Sequence, residues 1–133
     1  MGFAFQIADD CLDYEGSLDV VGKAIVADLL EGKVTLPLIF ALKNAGAQSE
    51  KLRGVVESIL EKGEASEPEK RLLVELIRGC EGLECAKQSA QKYAFTAQNA
   101  LANAFSFLPA SAPDLPAARS LKDLISYVMD RKN

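Results

Sequence analysis

Apolar residues recur at helical intervals along most of the chain, and no stretch alternates in the manner of a strand. Residues 2 to 14 read as a helix with Phe3, Ile7 and Tyr14 toward one side. Gly16, Ser17 and Gly22 then predict a loop over "EGSLDVVGKAIVADLLEGK", with a helical turn at "IVADLL". Thr35 is placed to cap a helix, "LPLIFALKNA", whose first turn accepts Pro37 and which stops near Gly46. In "SEKLRGVVESILEKG" the stripe is Leu52, Val55, Val56, Ile59 and Leu60, closed by Gly63. Ser66 and Glu69 stand in capping-box register before the stripe Leu72, Leu73, Leu76 and Ile77. An Ala-rich run from Leu83 to Leu108 carries Phe95, Leu101 and Phe105 as its larger apolar residues. The three prolines of "PASAPDLP" predict a loop, and "AARSLKDLISYVMDRK" an amphipathic closing helix. The expected fold class is all-α, a helical bundle in one domain.

Composition supports a packed domain, because 49% of the 133 residues are hydrophobic and 26% are charged. A net charge of −4 argues against a nucleic acid partner, which needs a basic face. The longest apolar run, "VTLPLIFAL", is too short to span a membrane, so no stable insertion is expected. Nothing resembles a signal peptide. The three cysteines, without C-x-x-C spacing, read as reduced thiols in a cytoplasmic protein. With no histidine, Ser-His-Asp and Cys-His catalysis are excluded and most zinc sites with them.

The chemistry concentrates in "FQIADDCLD", residues 5 to 13. On a continuous helix Gln6, Asp9 and Asp13 share a face, with Asp10 one step round. No Lys or Arg occurs among residues 1 to 22, so the acids repel one another unless something neutralises them. A hard divalent cation does so; Mg²⁺ characteristically takes one or two carboxylates and completes its shell with water and phosphate oxygens. A solvated acidic face is the simpler reading of two carboxylates one turn apart. An EF-hand fails: with Gly16 in the sixth position, Cys11 and Gly22 fall where the first and twelfth oxygen ligands belong. Lys23, Asp28 and Lys33 follow at even spacing, and a lysine directly after a glycine can approach an anion closely. Acids for metal and lysines for the same anion suggest a diphosphate held between them.

These residues resemble the second aspartate-rich region of the trans-isoprenyl diphosphate synthases. The pattern F-Q-x-x-D-D-x-x-D, G-K, D-x-x-x-x-K and T-L-P runs through residues 2 to 42. The resemblance implies the isoprenoid synthase fold, of which this chain would be the carboxyl-terminal part. It also implies Mg²⁺-assisted ionisation of an allylic diphosphate and condensation with isopentenyl diphosphate. By the same resemblance Asp9, Asp10 and Asp13 would serve metal, with Asp28 orienting a metal-bound water. Lys23 and Lys33 would bind diphosphate, and Phe5 and Gln6 would lie near the reacting carbons.

Full synthases carry a further D-D-x-x-D motif opposite this one, and no second acid cluster occurs here: Asp114, Asp123 and Asp130 are scattered. The chain by itself is therefore expected to turn over substrate poorly, and to self-associate as a homo-oligomer such as a dimer through uncovered apolar stripes. Arg131 and Lys132 could fold over a bound diphosphate. Two competing readings remain: a class I terpene cyclase or non-catalytic synthase subunit, and a non-enzymatic helical scaffold. Cyclases usually carry an N-S-E type second motif, and silent subunits usually lack these aspartates.

Overall fold

A computed structural model describes residues 2–107 and 116–130, without the side chains of 128–130. Among the described residues every regular element is helical. The elements are α1 (Gly2–Leu12), α2 (Leu18–Leu30), α3 (Leu36–Asn44), α4 (Ser49–Lys62), α5 (Glu67–Gly79), α6 (Gly82–Ser106) and α7 (Pro116–Asp130), with a 3₁₀ turn at Gly46–Gln48. The expected all-α class is what forms. Leu108 and most of the proline-rich loop lie outside the described residues, as do Arg131 and Lys132.

α3 sits between two layers, packing on α6 on one side and on α4 and α5 on the other. The main core joins α2, α3, α4 and α5 around Ile25, Leu38, Leu52, Ile59, Leu73 and Ile77, all essentially inaccessible. A second cluster, Ile7, Cys11, Ala86 and Ala90, seats α1 on α6. Ala4, Ala94 and Ile125 join α1, α6 and α7.

The periodic stripes hold in part. Leu52 and Ile59 are buried as expected, but Leu60 is 49% exposed. Ile7 and Tyr14 are buried while Phe3 is 75% exposed and leans on Tyr93, with ring centroids 6.0 Å apart. On α6 the buried positions are Ala86, Ala90 and Ala94, and Phe95 faces out. Small side chains win there because α1 lies close against that face, where large ones would hold the helices apart.

Three expectations need correction. The stretch after Gly16 is no loop: α2 takes in residues 18 to 30, burying Val21, Ile25, Val26 and Leu29. Gly22, which signals a break in isolation, is buried there because a Cβ would stand 2.8 Å from the Cβ of Lys70 on α5. Tertiary packing thus outweighs its poor helix propensity. The first helix ends at Leu12, so Asp13 and Tyr14 lie in the turn that follows. Thr35 stands at the N-cap of α3 but makes no side-chain cap bond; its hydroxyl meets the Tyr14 hydroxyl at 2.5 Å instead.

The capping box forms as expected. Ser66 donates its backbone N–H to Glu69 Oε2 at 2.9 Å, and its hydroxyl bonds the same oxygen at 2.6 Å. Lys62 adds an ion pair at 2.7 Å. The Lys62 and Ser66 hydrogen bonds hold the Glu69 carboxyl down at about 2. A depressed carboxyl contributes stability above its unfolded value of about 4.3, lost as pH falls toward the folded one. Glu69→Gln is therefore expected to lower the urea midpoint at pH 7, the gap to wild type closing as pH approaches 2.

Candidate functional site

α1 and the turn that follows it contribute three acids to one open cleft, and the end of α2 brings a fourth. Gln6, Asp9, Asp10, Asp13, Asp28 and Lys33 line a space of about 490 Å³, closed at its lip by Val34 and Thr35. The order of the chain explains how they meet. α1 presents Gln6, Asp9 and Asp10; the turn after Leu12 carries Asp13. α2 returns along the bundle and ends with Asp28 in its last turn.

The approach of Lys33 to Asp28 has a local cause. α2 closes with Gly32 at a φ of +77°, a left-handed conformation that favours glycine. The Lys33 N–H bonds the Asp28 carbonyl at 2.8 Å and the Gly32 N–H bonds the Leu29 carbonyl at 3.0 Å. That pair of bonds is a Schellman motif, which turns the chain back over the last turn of the helix. Hence Lys33 Nζ lies 3.9 Å from Asp28 Oδ1 and 2.6 Å from Glu31 Oε2. The five-residue interval of D-x-x-x-x-K is the interval between the two ends of this motif, and Gly32 was its sequence signal.

Electrostatically the cleft is unbalanced. Partial burial raises the Asp13 carboxyl above its ordinary value, and the charges of Asp28, Asp9 and Asp10 push it further. Lys33 pairs more closely with Glu31, at 2.6 Å, than with Asp28, at 3.9 Å, and the Glu31 carboxylate raises its ammonium pKa. Gln6 Nε2 donates to Asp10 Oδ1 at 2.8 Å, which leaves the amide carbonyl as the group's other polar end.

Two of the expected residues are elsewhere. Lys23 does not line the cleft; it is exposed on α2, where its charge acts on Glu67 of α5. The glycine before it serves helix packing. Phe5 is 41% exposed and likewise outside the cleft lining. Val34 and Thr35 also line the cleft; Thr35 was legible only as a helix cap and the start of T-L-P, and Val34 carried no signal.

Among the described residues no three Asp, Glu, Cys or His side chains are grouped closely enough to cage a metal by themselves. Acids facing an open, acid-rich cleft instead suit a hard cation that keeps waters and shares oxygens with a phosphate ligand. Asp9, Asp10, Asp13 and Asp28 line the cleft that such an ion would enter.

Among the described residues, the fold is thus a helical bundle whose acidic cleft is also lined by a lysine. Comparison makes the class specific. Residues 1–77 match the sequence pattern of the family described as Polyprenyl synthetase. The chain belongs to that family. It is 33% identical over 131 residues to a nonaprenyl diphosphate synthase of Mycobacterium tuberculosis, covering 98% of this chain and 36% of that one. With a chloroplastic solanesyl diphosphate synthase of Arabidopsis thaliana it shares 32% over 132 residues, or 98% and 28% of the two chains. A nonaprenyl diphosphate synthase of Rhodobacter capsulatus is 55% identical over 53 residues, 39% of this chain and 16% of the other. The chain thus spans about a third of the length of curated relatives it matches. No solved structure matches it significantly.

Proposed function

We propose that this chain supplies the second acidic motif of a trans-prenyl diphosphate synthase, which condenses isopentenyl diphosphate with an allylic diphosphate. The observation that carries the reading is the convergence of Asp9, Asp13, Asp28 and Lys33 on one cleft. Magnesium, when bound, supplies positive charge against the charge developing on a departing diphosphate. Asp9 and Asp13 would hold the ion from α1 and the turn after it, and Asp28 from α2. Asp10 takes the amide of Gln6, so that the Gln6 carbonyl is the end available to a developing allylic cation. Lys33, already held at the lip by Glu31 and Asp28, offers an ammonium to the diphosphate oxygens. The reaction needs no protein nucleophile, which fits a chain without histidine.

Family membership and relatives named as synthases favour this over a cyclase, a silent subunit or a scaffold. A homo-oligomer is supported by the exposed apolar side chains Phe3, Phe107 and Tyr127. Cys11, Cys80 and Cys85 are free thiols, in keeping with a cytoplasmic setting. Among the described residues no helix is long and apolar enough to cross a membrane.

The test is thermal unfolding with Mg²⁺ and inorganic pyrophosphate, each alone and together. A rise that needs both is the expected result. Equal melting in all conditions would leave the cleft a solvated acidic face.

A further inference from the structure

Of the acids at positions 9, 10 and 13, Asp13 is the one whose orientation α1 does not set. The helix stops at Leu12, and the next bonds are of the tighter kind, Tyr14 N–H to Cys11 O at 3.1 Å and Glu15 N–H to Leu12 O at 3.0 Å. Something else must hold the turn, and the structure supplies anchors from three other elements. The Tyr14 ring is 2% exposed, and its hydroxyl meets Thr35 Oγ1 at 2.5 Å, across to the start of α3. Arg78 of α5 donates through one nitrogen, Nη2, to two carbonyls, Tyr14 O at 3.2 Å and Gly16 O at 3.1 Å. Gly16 lies between these ties and α2 at a φ of +119°, a conformation open chiefly to glycine. Glu15 pairs with Lys87 of α6.

We propose that Tyr14 and Arg78 are positioning residues for the acidic cleft: Arg78 fixes the turn that carries Asp13, and Tyr14 locks that turn to the lip at Lys33–Thr35. This rests on the divalent-metal reading of the cleft. Tyr14 joins the two sides of the site directly, since its neighbour Asp13 and its partner Thr35 both line it. Arg78 acts from outside, on backbone carbonyls, and touches no lining side chain in these bonds. Residues that orient metal ligands characteristically matter to affinity although they never touch the ion.

The experiment compares wild type with Tyr14→Phe, Arg78→Gln and the pair Thr35→Val and Thr35→Ser. Amide hydrogen exchange reads the order of residues 13–17 and 33–35. Titration with Mn²⁺, followed by its free-ion electron paramagnetic resonance signal, reads metal affinity. Urea unfolding separates both from global stability. Expected are faster exchange confined to those segments and Mn²⁺ affinity weakened about tenfold in Tyr14→Phe, Arg78→Gln and Thr35→Val. Thr35→Ser, which keeps the hydroxyl, is expected to bind as wild type does. Unchanged exchange in Tyr14→Phe and Arg78→Gln overturns the inference whatever the metal does. So does faster exchange with wild-type affinity, provided Asp13→Asn lowers that affinity; the divalent reading then stands without it. A wild-type chain that takes up no Mn²⁺ removes both.

Discussion

An Asp13→Asn chain is expected to melt above wild type in the absence of divalent cations and to gain far less than wild type when Mg²⁺ and pyrophosphate are added. The first half follows from the cleft's charge. Folding raises the Asp13 carboxyl, by burial first and then by Asp28, Asp9 and Asp10. The folded chain therefore binds more protons than the unfolded one as pH passes through the ordinary carboxylate range, and stability falls as pH rises there. At neutral pH the ionised carboxylate opposes folding, and a neutral amide of the same shape relieves it. Because Asp13 is exposed, the gain is small, on the order of a few tenths of a kcal/mol, as for like charges on a helix surface. The second half is larger. A ligand at a hundred times its Kd stabilises the state it binds by about 2.7 kcal/mol, and a variant whose Kd has risen past the ligand concentration forfeits most of that. Differential scanning calorimetry of both chains, with and without ligand, reads the crossing. Parallel shifts in the two proteins would count against Asp13 as a metal ligand.

Gly82→Ala is expected to be the costliest single methyl in the chain. A Cβ at Gly82 would run into the Pro37 carbonyl oxygen and stand 2.8 Å from the Ala41 Cβ. Neither neighbour is a flexible side-chain end that can swing aside. α6 would have to lift from α3, the pair that also seats α1, and overpacking of this kind typically costs about 1–3 kcal/mol. Urea unfolding measures it. At Gly54, where a Cβ meets nothing within 4 Å, the same substitution lies inside α4 and is expected to stabilise by about 0.5–1 kcal/mol through helix propensity alone. Equal effects at the two sites would refute the packing argument.

Much of the molecule was legible in advance because its signals are local. Ser66 and Glu69 form their box since both partners lie within one turn. Gly63 ends α4 through its own backbone, with its N–H on the Ile59 carbonyl at 3.0 Å. The acids at 9, 10 and 13 were also readable, as uncompensated like charges in a short span. Failures arose wherever a residue answers to a distant neighbour. Gly22 looks like a breaker until α5 lies against it, and Phe3 looks like core until α6 takes Ala4 instead. Thr35 reads as a cap until Tyr14 claims its hydroxyl.

By itself, then, the chain's order of residues determined an all-helical protein, the stock of carboxylates and lysines, and membership of a synthase family, because periodicity, capping and motif spacing are properties of neighbours along the chain. Only the tertiary structure decided which of those charges share a cleft. It drew in Asp28 and Lys33 through a helix end closed at Gly32, and left Lys23 outside. The reason is geometric: a lysine's reach toward an anion depends on where its helix is seated, and buried contacts such as those of Val21, Ile25 and Gly22 seat α2.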